Sequence, residues 1–233
     1  MLSERISEIR RCFPDAYVEG PLTTLIHEED WAQAWKRHYR AIEVGRILIK
    51  PSWLPAPEVQ GDGIVVELDQ QMAFGTGAHA STQLALLALQ RMVRRGHQVA
   101  DVGTGTGILA IAAALMGAAS VWAVDNDPLA VRVARANCKR NAVADKVQVV
   151  SGDLLNGAPA GLDGIVANIS PHADIAVAEQ APRRLRAGGY LILSGFTNKS
   201  EQEVASALTR AGLSQLQRLC DDEWVCLIAI SPQ

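Results

Sequence analysis

Past residue 97, short apolar runs of strand length alternate with stretches of helical length, and this alternation constrains the fold more than any other feature of the sequence. Repeated strand–helix units build a parallel sheet, because each crossover helix carries the chain back to the starting edge and covers one face on the way. Strands covered on both faces read as near-continuous apolar runs, and such runs lie near residues 99–102, 120–124, 147–150, 164–167 and 190–194. Helices are expected between them at 108–116, 128–141 and 172–185, with others at 81–95 and 200–211. Asp127-Pro128 marks one helix start: Asp accepts a free first-turn N–H, and Pro occupies a position whose N–H has no partner. Two further runs, 214–219 and 224–230, flank Asp221-Asp222 closely enough to pair antiparallel. The expected fold class is therefore α/β, a doubly wound, mostly parallel sheet with an antiparallel C-terminal hairpin strand.

A chain of 233 residues with 48% hydrophobic composition has room for one sizeable core. Residues 1–65 mix short helical and strand signals with Pro51, Pro55 and Pro57, and are read as a small N-terminal region and linker ahead of a domain over 66–233. The apolar stretch 108–124 falls short of the roughly 18 residues a membrane span needs, and Gly117 interrupts it, so it reads as a buried helix followed by a buried strand. Charged residues through the first thirty positions leave no signal-peptide core, and Cys12, Cys138, Cys220 and Cys226 form no disulfide framework, which together point to the cytoplasm. A net charge of -3 gives no global attraction for nucleic acid or an acidic membrane surface. His27, His38, His97 and His172 lack the clustering of a metal site.

The chemistry-bearing residues fall at the expected carboxyl ends of strands, where open α/β sheets bind ligands. The first strand runs into Gly103-Thr104-Gly105-Thr106-Gly107 and then a helix. The dinucleotide fingerprint Gly-x-Gly-x-x-Gly places its third glycine one residue later than Gly107, which disfavours NAD. S-adenosylmethionine, which carries a sulfonium and an amino acid instead of a pyrophosphate, suits the turn better. Asp101, two residues before the first glycine, fits a site that meets a cationic amino group; capping of local backbone is the alternative. Asp125 ends the next strand, 22 residues after Gly103, where a carboxylate accepts both hydrogens of a ribose diol. Asp153 ends the third strand within reach of an adenine amino group, although turn chemistry alone explains a Gly-Asp pair. Asn168 ends the fourth, beside the expected methyl donor, with an Asx-turn before Pro171 as the competing account. A second glycine-bearing loop, from Met72 to Thr82, is either a lid or a helix entry capped by Ser81 or Thr82.

Phe74-Gly75-Thr76-Gly77-x-His79-x-x-Thr82, Asp101-x-Gly103-x-Gly105-x-Gly107-Ile108-Leu109-Ala110-Ile111 and Ala167-Asn168-Ile169 together resemble the ribosomal protein L11 methyltransferase family. Glu29-Asp30-Trp31, Lys50-Pro51-Ser52-Trp53, Gly188-Gly189-Tyr190 and Glu223-Trp224 look like that family too, so the resemblance covers about residues 27 to 230. It implies a Rossmann-like class I methyltransferase that uses S-adenosylmethionine, with Thr82, Gly103, Asp125 and Asn168 at the cofactor; Thr104 and Gly105, in the same glycine turn, are cofactor-binding candidates from the turn itself. It implies a protein amino group as acceptor, on ribosomal protein L11 or a related protein lysine. Thr104 stands where the family often has Cys, Ala80-Ser81 replaces Pro-Thr, and Ser170-Pro171 replaces a small or apolar continuation. The stretch before Glu28 is too short for the family's substrate-recognition domain, so the resemblance bears on the core more directly than on the acceptor.

Methyl transfer is an in-line displacement that needs alignment and dryness more than acid or base groups. Asn168 is the expected catalytic residue, its side-chain carbonyl orienting the incoming amine; His79 and His172 qualify as bases by chemistry type only. A small-molecule or nucleic-acid N-methyltransferase is the alternative, although Asn168-Ile169-Ser170-Pro171 breaks the Asn-Pro-Pro-aromatic pattern of base methylases. A non-catalytic cofactor-binding module is the other. A monomer is the starting expectation.

Overall fold

The computed structural model describes residues 40–55, 61–68 and 77–232. The elements in chain order are β1 (Ile42–Val44), β2 (Ile47–Pro51), β3 (Ile64–Leu68), α1 (Ala80–Met92), β4 (Gln98–Val102), α2 (Ile108–Leu115), β5 (Ser120–Asp125), α3 (Pro128–Arg140), β6 (Val147–Ser151), β7 (Leu162–Asn168), α4 (Pro171–Gln180), β8 (Leu185–Thr197), α5 (Asn198–Arg210), β9 (Ser214–Asp221) and β10 (Trp224–Ile230).

Seven strands form one sheet in the order β6-β5-β4-β7-β8-β10-β9. The first five strands of that order pair in parallel, whereas β10 is antiparallel to both β8 and β9. The chain therefore starts at β4, winds outward through β5 and β6, and returns to β7 on the other side. That reversal opens a crevice at the carboxyl ends of the central strands, because the crossovers on its two sides leave in opposite directions. Period-two alternation divides each central strand between two cores. Tyr190 and Ile192 of β8 face the layer of α1, α2 and α3, while Leu191 and Leu193 face α4 and α5.

Helix α1 is built from strong helix formers, and its Leu84, Ala85, Leu86, Ala88 and Leu89 are buried against β7, β8 and β10. Helix α2 is buried along nearly its whole length and stops short of Gly117. The apolar stretch 108–124 thus resolves into a buried helix and strand, and among the described residues no helix is long and apolar enough to cross a membrane. At the start of α3 the Asp127 carboxylate accepts the Leu129 N–H at 2.8 Å, with Pro128 in the first turn.

Two boundaries depart from the sequence reading. The helix expected over 172–185 ends at Gln180, because Pro182 has no N–H to continue the ladder and its ring clashes with the preceding turn. The remainder becomes a short 3-10 turn and the start of β8. The domain boundary expected between residues 65 and 66 falls inside β3. Strands β1–β3 form a small sheet whose Ile47, Ile49, Val66 and Leu68 join the same core as α1 and α2, and residues from Arg40 onward make one compact unit. Residues 1–39 and the Phe74-Gly75-Thr76 part of the expected lid lie outside the described residues.

Candidate active site

A cleft of about 870 Å³ opens at the carboxyl ends of β4, β5, β6 and β7. Its walls carry Gly103, Gly105, Asp125, Asp153 and Asn168, so residues read separately along the sequence converge on one cavity. Asp125, Asp127 and Asp153 line it, and no lysine or arginine does among the described residues. That charge pattern suits a cationic ligand and opposes a pyrophosphate.

The glycine turn is held by its neighbours. The N–H groups of Gly103 and Thr104 both donate to the Val124 carbonyl, at 2.9 and 3.0 Å, folding the chain over the end of β5. Gly103 has φ +70°, and a Cβ there would stand 2.2 Å from Cγ2 of Ile169. Only glycine meets both conditions at low cost.

Asp101 has a different task from the one expected of it. It is fully buried on the α2 side, away from the cleft wall, where its Oδ2 accepts the Thr104 hydroxyl at 2.6 Å and the Ala110 N–H at 3.0 Å. The carboxyl therefore pins the glycine turn to the first turns of α2. Burial, the largest influence, together with the Asp125 charge pushes its pKa up to about 7, against the pull of those two hydrogen bonds. Between its ordinary value of 3.8 and about 7, the unfolded chain releases this proton while the folded chain keeps it. The group's contribution to stability is thus complete below pH ~4 and declines by about 1.4 kcal/mol per unit as pH rises towards 7. Asp101→Asn should flatten this fall, narrowing the loss of unfolding free energy between pH 5 and 7 by roughly 2 kcal/mol in denaturant titrations.

The Asp125 carboxylate accepts the Gly105 N–H at 2.8 Å on Oδ2 and the Asp127 N–H at 3.0 Å on Oδ1. An ionised carboxylate accommodates about four hydrogen bonds, so acceptor capacity remains for the cleft that Asp125 lines. Asp153 is exposed on the same wall, and the Gly152 N–H ties its strand to the Asp125 carbonyl at 3.0 Å.

At the end of β7, the Asn168 Nδ2 donates to the Thr82 hydroxyl at 3.0 Å, while its buried Oδ1 has no partner. Thr82 itself is fully buried in the first turn of α1, behind Asn168 and off the cleft wall. Ile169 then threads between two glycines: it faces Gly103, and its backbone crosses Gly195 so closely that a Cβ there would lie 2.1 Å from the Ile169 carbonyl oxygen. Ser170 caps α4, its hydroxyl accepting the Ala173 N–H at 3.5 Å.

Two residues that the sequence reading treated separately, His79 as a base by chemistry type only and Trp224 as part of the resemblance, meet on the cleft wall from opposite ends of the domain. His79 caps α1, the position expected of Ser81 or Thr82, and its Nδ1 lies 2.7 Å from the Ser81 hydroxyl. Its ring meets Trp224 of β10 edge-on, with centroids 4.3 Å apart. The Glu223-Trp224 pair was a signal for this, but its place beside the cleft depends on the hairpin's register. His172 is exposed and does not line the cleft.

Comparison with known proteins agrees with this architecture. The family model described as Ribosomal protein L11 methyltransferase (PrmA) matches residues 13–231. The ribosomal protein L11 methyltransferase of Pelotomaculum thermopropionicum is 48% identical over 208 residues, covering 89% of this chain and 67% of that one. That of Bacillus subtilis is 43% identical over 205 residues, covering 88% and 66%. This chain spans about two thirds of the length of these relatives. Among solved structures, the ribosomal protein L11 methylase of Lactobacillus delbrueckii subsp. bulgaricus superposes with a TM-score of 0.78 at 31% identity, covering 84% of this chain and 100% of that one. A methyltransferase of Pyrococcus furiosus, 21% identical, shares the fold with a TM-score of 0.56 over 62% of this chain and 80% of that one. A match that runs from residue 13 to 231, through every strand that shapes the cleft, shows that this chain belongs to the ribosomal protein L11 methyltransferase family, a family of enzymes whose cofactor is S-adenosylmethionine.

Proposed function

We propose that this chain methylates amino groups of ribosomal protein L11 in the cleft at the ends of β4–β7. One observation carries the reading: Asn168, at the carboxyl end of β7, has its Nδ2 engaged by Thr82 and its Oδ1 left without a partner. A buried acceptor atom without a partner costs free energy, so a donor brought by a ligand is the arrangement that relieves it. A primary amine is such a donor.

The residues present fit the cofactor. Asp125, Asp153 and the backbone from Gly103 to Gly105 line one cleft, where Asp125 would hold the ribose hydroxyls, Asp153 an adenine amino group and the glycine turn the methionine portion. Asp101 supports that backbone from behind, and Thr82 supports Asn168. When bound, the cofactor supplies a methyl group activated on a sulfonium.

The protein's own task is to align a neutral amine and keep water out. A lysine needs about 4 to 5 kcal/mol to lose its proton near pH 7. Enclosure beside Ile169 and Trp224 supplies part of that by desolvation, and Asn168 Oδ1 accepts one amine hydrogen so that the lone pair faces the methyl carbon. The amine would take the methyl group that the cofactor supplies, and the ammonium so formed on the acceptor would release its proton to solvent.

Incubating purified L11 with this chain and methyl-labelled cofactor tests the acceptor, alongside assembled ribosomes and an L11-depleted lysate. Label on L11 amino groups supports the proposal. Label confined to the depleted lysate overturns the acceptor, and no label anywhere overturns the enzyme reading. For the ribose contact, Asp125→Ala should weaken cofactor binding by roughly 1.5 to 3 kcal/mol in calorimetric titration. Unchanged affinity would remove Asp125 from that role.

A further inference from the structure

Asn168 and Thr82 stand 86 residues apart in the chain, on a strand and a helix, and neither element sets the 3.0 Å between them. Ser194 touches both elements. It pairs with Asn168 in the parallel register of β7 and β8. Its backbone carbonyl accepts the N–H of Ile169, the residue after Asn168, at 3.1 Å. Its hydroxyl donates to the carbonyl of Ser81, the residue before Thr82, at 2.9 Å. Ser194 is fully buried, and a hydroxyl in a strand core is costly unless it makes such a bond.

We infer that Ser194 is a positioning residue for methyl transfer: it braces the end of β7 against the first turn of α1 at the spacing that lets the Asn168 amide engage Thr82. The inference rests on the proposed role of Asn168. Ser194 itself does not line the cleft, so it reaches the reaction through the elements it joins; its side chain also hydrogen-bonds the Cys226 thiol of β10. Loss of its hydroxyl frees α1 to shift relative to β8, and the Asn168 amide then loses the restraint that presents Oδ1 to the acceptor.

The test combines kinetics with nuclear magnetic resonance on the full chain. Ser194→Ala should lower kcat about tenfold while the cofactor dissociation constant stays within about twofold, because the hydroxyl touches no ligand. In an Asn168→Ala background the same change should cost under about twofold, since residues that act as a unit are non-additive. The Asn168 side-chain amide resonances, assigned by their loss in Asn168→Ala, should move and lose exchange protection in Ser194→Ala. Ser194→Cys, close in size but a weaker donor, should show an intermediate kcat and the same direction of amide shift. Fully additive losses in kcat, or an Asn168 amide signal unmoved in both Ser194 variants, would overturn the inference. Should Asn168→Ala leave kcat unchanged, the catalytic role of Asn168 fails, and the amide signal by itself decides whether Ser194 positions it.

Discussion

Asn168→Ala should lower kcat on the order of 100-fold while weakening cofactor binding far less. The reasoning follows from where its two polar atoms stand. Nδ2 is committed to Thr82 at 3.0 Å, so the amide plane is held before any ligand arrives. Oδ1 has no partner in the protein, so whatever it contributes arises with the acceptor in place. An interaction that strengthens as the amine approaches the methyl carbon lowers the barrier and leaves cofactor affinity nearly untouched. Preorganised polar groups of this kind are typically worth about 2.7 to 4 kcal/mol, equivalent to roughly two to three powers of ten in rate. Steady-state kinetics with saturating acceptor, set against calorimetric cofactor titration, separates the two effects. Equal losses in kcat and in affinity would make Asn168 a cofactor contact and nothing more.

Gly195→Ala should be more damaging than any other single-methyl addition around the cleft, with loss of both activity and stability. Gly195 has φ +98°, a region that L side chains rarely adopt, which costs about 1 to 2 kcal/mol. The added methyl would also meet the Ile169 carbonyl oxygen at 2.1 Å and its nitrogen at 2.8 Å. These are backbone atoms of the residue next to Asn168, so no rotamer change relieves the clash. Overpacking adds about 1 to 3 kcal/mol, for a total of roughly 2 to 5 kcal/mol. For a chain of this size each kcal/mol lowers Tm by about 2 to 4 °C, so calorimetry should show a drop of roughly 4 to 20 °C. The folded fraction should keep little activity, because the displaced Ile169 carries Asn168 with it. A Tm within about 2 °C of the parent chain, with kcat intact, would mean that the β7–β8 junction relaxes freely.

Much of this fold was legible before the structure. The parallel sheet showed in runs of five or so apolar residues, and the helix start at Asp127-Pro128 showed in two adjacent residues, because both signals are local. The hairpin of β9 and β10 was legible for the same reason: its two runs lie within a few residues of each other. The helix end at Gln180 was missed although Pro182 was in view, since the apolar pattern on its far side continues and changes only its partner, from α5 to β7.

The site divides along the same line. The sequence by itself determined that a glycine turn and the acidic or amide ends of successive strands gather at one edge of a parallel sheet, because strand direction alone places them there. Only the tertiary structure decided what each of these groups faces. Asp101 turns to α2 and the turn it supports because pleat alternation puts it on that side of β4. Thr82 meets Asn168, and His79 meets Trp224, because the register of β7, β8 and β10 and the seating of α1 bring distant chain segments within hydrogen-bond or ring contact. Such contacts depend on offsets of a few ångströms between elements separated by scores of residues, and no local pattern in the chain encodes an offset of that kind.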